Sequence, residues 1–167
     1  MNAQLILELT ERMKECESDR LRSKVLSKFI KQCQFALQSF DVEPLIKTYH
    51  TDPGRLKAVS IVSKMTSWDI WPIVSVIGKC FDSDETAIAA VAALLIHYRP
   101  TSGMPILLVG DLLYALHREE NRLAMLFLIN SKAPIVSDDS NLNLSCIMQH
   151  FQTRSAYTLA DQMLRLN

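Results

Sequence analysis

Phe81-Asp-Ser-Asp-Glu-Thr-Ala-Ile-Ala-Ala-Val-Ala-Ala-Leu-Leu-Ile-His-Tyr98 decides the fold. It passes from an aromatic through an acidic turn and then runs from Ala87 to Ile96 without a polar residue. Asp82, with Glu85 three positions on, has the form of a capping box and opens a helix there. A helix that is apolar on every side must be covered on every side, which makes this segment the expected floor of the core. Tyr98-Arg-Pro-Thr-Ser-Gly103 ends it with turn chemistry.

Working toward the N-terminus, Trp68–Cys80 reads as a helix restarted by Thr66 and Ser67. Thr51-Asp-Pro-Gly54 starts another that runs to about Met65. Asp52 is its expected cap, and Pro53 suits the first helical position, where an N–H would have no partner. Asp41 to Tyr49 is long enough only for a short helix around Pro44. Ser18-Asp19 can cap a helix whose expected buried face is Leu21, Val25, Phe29, Cys33, Ala36 and Phe40. Its outer face carries Arg20, Lys24, Lys28 and Lys31. Residues 3–17 put Leu5, Ile6, Leu9, Met13 and Cys16 on one stripe, with Glu8, Glu11, Arg12 and Glu15 opposite. Toward the C-terminus, Met104–Leu116, Glu119–Lys132, Asn141–Phe151 and Arg154–Leu166 read as four more helices, with a long polar-capped connection from Ala133 to Ser140.

The second helices of successive pairs can be laid over one another on the anchors Leu21, Leu56, Ile88, Leu123 and Thr158 (or Leu159), which with Thr158 stand 35, 32, 35 and 35 residues apart. Stacked helical hairpins give a period of this size, because one hairpin cannot bury its apolar face alone. The expected fold is therefore all-α: stacked antiparallel helical hairpins, as an α-solenoid-like repeat or as an irregular helical bundle. It is read as a single domain over 1–167, with N-terminal helices in 1–50 and repeat-like hairpins in 51–167. Few glycines, few aromatics and a 49% hydrophobic content argue against a sandwich or barrel.

Residues 54–127 resemble a small helical family known only as domain-of-unknown-function family 4476. The matching residues are Arg55-Leu56-Lys57-Ala58, Thr66-Ser67, Phe81-Asp82-Ser83 and, more loosely, Leu116-His117-Arg118 with Arg122-Leu123. The resemblance implies a compact helical repeat and brings no activity with it.

Composition narrows the function. Lys plus Arg equals Asp plus Glu, 18 of each, so the basic excess of a dedicated nucleic-acid binder is missing and a nucleic-acid partner is disfavoured. The four cysteines, Cys16, Cys33, Cys80 and Cys146, form no CxxC and read as buried free thiols of a reducing, intracellular and cytoplasmic setting. The N-terminus lacks the pattern of a signal peptide, and no apolar run reaches the roughly 20 residues of a membrane span. The apolar excess leaves room for a homo-oligomer.

Candidate chemistry is thin. Cys146 and His150, four apart on one helix, are half of a zinc site whose other half is missing. Asp82, Asp84 and Glu85 lack the spread and the glycine of a calcium loop; a helix N-terminus attracts them sufficiently. No nucleophile, metalloprotease or phosphate-loop motif is present, and His50, His97, His117 and His150 have no paired acid at a telling spacing. The expectation is no catalytic, cofactor-binding or metal-ligating residue.

Two features remain. Trp68 and Trp71 share a helix face and read first as core, otherwise as an exposed anchor for a partner. Arg20, Lys24, Lys28 and Lys31 make a basic stripe, a solvated face by default and otherwise a surface for a carboxylate-rich helix or a phosphate backbone. The leading expectation is a noncatalytic protein-protein interaction module of adaptor or scaffold type. The alternatives are a nucleic-acid or acidic-ligand binder using the basic stripe, and an enzyme whose site is assembled across helices.

Overall fold

The computed structural model of the chain describes residues 2–33, 42–64, 71–97, 103–136 and 144–165. Among them lie α1 (Asn2–Lys14), α2 (Asp19–Cys33), α3 (Glu43–Lys47), α4 (Asp52–Val62), α5 (Trp71–Cys80) and α6 (Asp84–His97). These are followed by β1 (Met104–Pro105), α7 (Ile106–Tyr114), α8 (Glu119–Asn130), β2 (Ile135–Val136), α9 (Ser145–Met148) and α10 (Arg154–Arg165). The fold is all-α, with one parallel pair of two-residue strands among the described residues that the sequence does not announce. The contacts divide the chain into two compact units, Met1–Tyr98 and Arg99–Asn167.

In the first unit α1, α3 and α5 pack side by side in one row and α2, α4 and α6 in another, with α1 on α2, α3 on α4 and α5 on α6. Residue 50 marks no break: α2 packs on α4 across it. The five-residue α3 is far too short to persist alone, so packing must hold it. Val42, Leu45, Ile46 and Tyr49 are buried around it, and full burial of each aliphatic side chain contributes about 1.5–3 kcal/mol. Burial also pushes the Tyr49 hydroxyl up to about 12.

Two expectations about burial are corrected here. The helix α6 is not covered on every side. Ala87, Ala90, Val91, Leu94 and Leu95 are buried; Ile88, Ala89, Ala92 and Ala93 are half-buried, and Ile96 is 69% exposed. The run is apolar largely because it is alanine-rich, and alanine serves helix propensity while exposing little surface. The helix α2 is turned by one residue, about 100°. Arg22, Leu26 and Ile30 are its buried residues, whereas Leu21 is exposed and Val25 and Phe29 are half-buried. Cys33, Ala36 and Phe40 lie outside the described side chains.

A polar device explains the rotation of α2. Three helices begin with the same arrangement. The Ser or Thr just before the helix caps it: Thr51 Oγ1 accepts from Gly54 N at 3.1 Å, Ser83 Oγ from Thr86 N at 3.3 Å, and Thr153 Oγ1 from Ala156 N at 3.3 Å. A carboxylate at the first position of an earlier helix then clamps that capping segment. Asp19 accepts from His50 N (3.1 Å), Thr51 N (3.1 Å) and Thr51 Oγ1 (2.7 Å). Asp52 accepts from Asp82 N (3.1 Å), Ser83 N (3.0 Å) and Thr86 Oγ1 (2.6 Å). Glu119 accepts from Gln152 N, from Thr153 N at 3.0 Å and from Thr153 Oγ1 at 2.6 Å. To serve its clamp, Asp19 must face the start of α4, and Arg22, one turn on, is buried with it.

The caps differ accordingly from those expected. Thr51, not Asp52, caps α4, and Ser83, not Asp82, caps α6. Asp82 instead receives Arg55 Nη1 at 2.7 Å. The guanidinium of Arg22 meets Asp19 at 3.0 Å and that of Arg55 meets Asp52 at 2.9 Å. Arg22 and Arg55 are therefore counterparts, so the alignment that paired Arg20-Leu21 with Arg55-Leu56 is displaced by two residues in its first copy. Arg122, three residues after Glu119, turns to the carbonyls of Leu116 and His150 at 2.8–3.0 Å.

In the second unit α7 packs on α8 and α9, and α10 packs on α8 and α9. Leu108, Val109, Leu112, Leu113, Met125, Leu126, Ile129 and Ile147 fill its core. The connection from Ala133, expected to be long and polar-capped, contributes β2, and Asn141–Phe151 yields only the short α9 among the described residues. Gly103 enters the strand pair at φ 89°, and Met104 N donates to Pro134 O at 2.7 Å. A Cβ on Gly103 would stand 2.7 Å from Pro134 O and 2.7 Å from Val136 Cγ1. Gly103→Ala is therefore expected to destabilise the fold by about 2 kcal/mol or more, read as a lower urea midpoint.

Candidate binding face

The outward side of α2 carries the basic stripe, and the packing of the first unit turns that stripe into two grooves. Toward α4, Arg20, Lys24, Lys28 and Lys31 meet Lys57 across a floor of Ser23, Ser27 and Ile61, in an open groove of about 490 Å³. Toward α1, Leu9, Val25 and Phe29 form an apolar floor rimmed by Arg12, Lys24, Lys28 and Gln32, in a groove of about 370 Å³. Lys24 and Lys28 form the ridge between the two.

Among the described residues, no acidic residue lines either groove. The sequence places Glu11, Glu15 and Glu17 near enough to dilute the field; Glu11 is engaged with Lys14 at 2.7 Å, and none of the three lines either groove. Among the described residues, the side chains of Arg12, Arg20, Lys24, Lys28, Lys31 and Lys57 make no hydrogen bond or ion pair. Cations gathered without counter-charge raise the local potential and attract an anionic partner, over a reach of about 8 Å at physiological salt.

Sequence spacing found four of these cations. It missed Lys57, which joins them only because α4 packs on α2, and Arg12, which was read among the acids of α1. It also assigned Val25 and Phe29 to the core, which the rotation of α2 undoes. Trp68 lies outside the described residues, as does the side chain of Trp71, whose backbone opens α5.

The bonds of the clamps lower the pKa of their carboxylates. Burial pulls Asp52 upward, but the bonds from Thr86, Asp82, Arg55 and Ser83 outweigh it and hold the group below its ordinary value. Asp19 is lowered in the same way against its own burial, by Thr51, His50 and Arg22. Glu119 is lowered chiefly by Thr153.

The remaining candidates do not converge. Among the described residues no group of three or more His, Cys, Asp and Glu side chains gathers as a metal site. His150 meets the ring of Tyr114 edge-on at 6.2 Å, and burial, with Arg122 nearby, lowers its pKa. His50 Nε2 accepts from Arg22 Nη2 at 2.7 Å. Of the thiols, Cys80 is buried, and Cys16 and Cys146 are half-buried rather than buried; all three are free. Asp138 and Asp139, whose acidic pair reads from sequence like Asp82 and Asp84, lie outside the described residues, as do the side chains of Cys33 and His97. No described helix is long and apolar enough to cross a membrane.

No family model matches the chain, and neither a curated protein nor a solved structure does. The resemblance over residues 54–127 therefore rests on its quoted motifs alone.

Proposed function

We propose that this protein is a noncatalytic interaction module, an adaptor of stacked helix pairs that docks a protein partner on the cationic face of α2. The observation that carries this reading is the set of cations around Lys24 and Lys28, which make no hydrogen bond or ion pair among the described residues. Two rows of helices supply a scaffold for such a face without any reactive group. The recurrence of one cap-and-clamp arrangement at the starts of α4, α6 and α10 supports the repeat architecture. Three free thiols fit a reducing intracellular compartment.

The test is site-specific photo-crosslinking in cells. A photoreactive residue at Ser27, in the α2–α4 groove, is expected to capture a protein; one at the exposed Gln162 of α10 is not. Lys24→Glu with Lys28→Glu is expected to abolish the Ser27 adduct. Capture of nucleic acid alone at Ser27, or an adduct indifferent to the charge reversal, overturns the proposal.

A further inference from the structure

Turning α2 to bury Arg22, Leu26 and Ile30 leaves Val25 and Phe29, one turn apart, half-buried at the bottom of a groove. Leu9 of α1 completes that floor. The rim is Arg12 on one side and Lys24 and Lys28 on the other, with no acid among the described residues. An apolar floor between cationic edges specifies an occupant that has both characters.

We infer that the α1–α2 groove receives an acidic amphipathic helix of the partner protein, its apolar side chains on Leu9, Val25 and Phe29 and its carboxylates against Arg12, Lys24 and Lys28. This deepens the interaction-module reading and rests on it. Spacing supports a helix. Lys24 and Lys28 lie one turn apart, so acids at i and i+4 of a helix laid alongside meet both. From Lys24 to Gln32 the α2 wall of the groove runs about 12 Å along the axis, about two turns of such a helix. Anchors at i and i+4 are how a helix reads an apolar groove. A phosphate backbone would satisfy the rim and leave Leu9 and Val25 facing charge. The groove of about 370 Å³ suits a few side chains of a longer segment rather than a whole small ligand.

The experiment titrates the full chain with fluorescent probes at physiological salt. One probe is a Glu-rich peptide of about 20 residues with Leu at i, i+3 and i+4 positions, long enough for helix formation. The second replaces every Leu with Ala, and the third is a single-stranded oligonucleotide of similar charge. The Leu peptide is expected to bind about tenfold more tightly than the Ala peptide, the difference that anchor side chains make. Phe29→Ala is expected to remove that tenfold and to leave the Ala peptide unchanged. Val25→Ser, at a second half-buried position, is expected to do the same and gives the reading independently if Phe29→Ala fails to fold. Lys24→Glu with Lys28→Glu is expected to abolish binding of both peptides. Equal affinity for the two peptides, or no binding of the Leu peptide, overturns the inference. If the peptides bind equally while the Ser27 crosslink still captures a protein, the interaction reading survives without the amphipathic helix. If only the oligonucleotide binds, both fall.

Discussion

Asp52→Ala is expected to lower the free energy of unfolding by about 3 kcal/mol, seen as a shift in the urea midpoint. The side chain is 12% exposed and accepts from the backbone of Asp82 and Ser83 and from the Thr86 hydroxyl, besides pairing with Arg55. Each hydrogen bond to a charged group contributes about 1.5–3 kcal/mol, and such contributions are not additive within one network. Water can reach the exposed Asp82 side of the site and recover part of the loss. Asp52→Asn keeps the shape and removes the charge, so it is expected to lose roughly half as much. The same bonds fix a pH dependence. Because Asp52 is held below its ordinary value of 3.8, its stabilisation is fully present above that pH. It is lost as pH falls through the lowered native value. The urea midpoint of the Asp52→Ala protein should therefore fall less steeply with acid than that of the parent chain.

Gly54→Ala is expected to destabilise by about 3 kcal/mol, although alanine is the better helix former by about 1 kcal/mol. An added Cβ would stand 2.2 Å from Asp19 Oδ2 and 2.6 Å from its Cγ. The carboxylate cannot swing aside freely, since His50 N, Thr51 N, Thr51 Oγ1 and Arg22 all hold it. Moving it would strip the partner from a guanidinium whose side chain is only 3% exposed and whose Nε already lacks a hydrogen bond among the described residues. A double-mutant cycle isolates the cause. In an Asp19→Gly background the carboxylate and also the Asp19 Cβ, 3.0 Å from the added atom, are gone, and Gly54→Ala is expected to become neutral or stabilising by up to about 1 kcal/mol. An equal loss in both backgrounds would mean that the clash lies elsewhere.

The helices were legible because their signals are local. Pro53 and Thr51 mark the start of α4, and the alanine run declares α6. Burial was less legible. Periodicity showed that α2 has one apolar and one charged side, but Leu21, Val25 and Phe29 score as core as readily as Leu26 and Ile30 do. The choice between these faces was made by Asp19, whose bonds reach residues about 30 positions away. No pattern of apolar residues encodes that. The candidate site shows the same division. Its ridge was visible as Arg20, Lys24, Lys28 and Lys31, while its walls, Lys57 and Arg12, depend on which helices become neighbours. The strand pair escaped because two residues a side carry no alternation to read, and a glycine with positive φ is its main local requirement.

The clamps share a direction. In each, the acid precedes the segment it holds: Asp19 before Thr51, Asp52 before Ser83, Glu119 before Thr153. A chain leaving the ribosome thus presents every acceptor before the donors that need it, and each new helix start emerges to find its anchor already made. Assembly can keep pace with synthesis, adding one turn-in after another without waiting for the C-terminus.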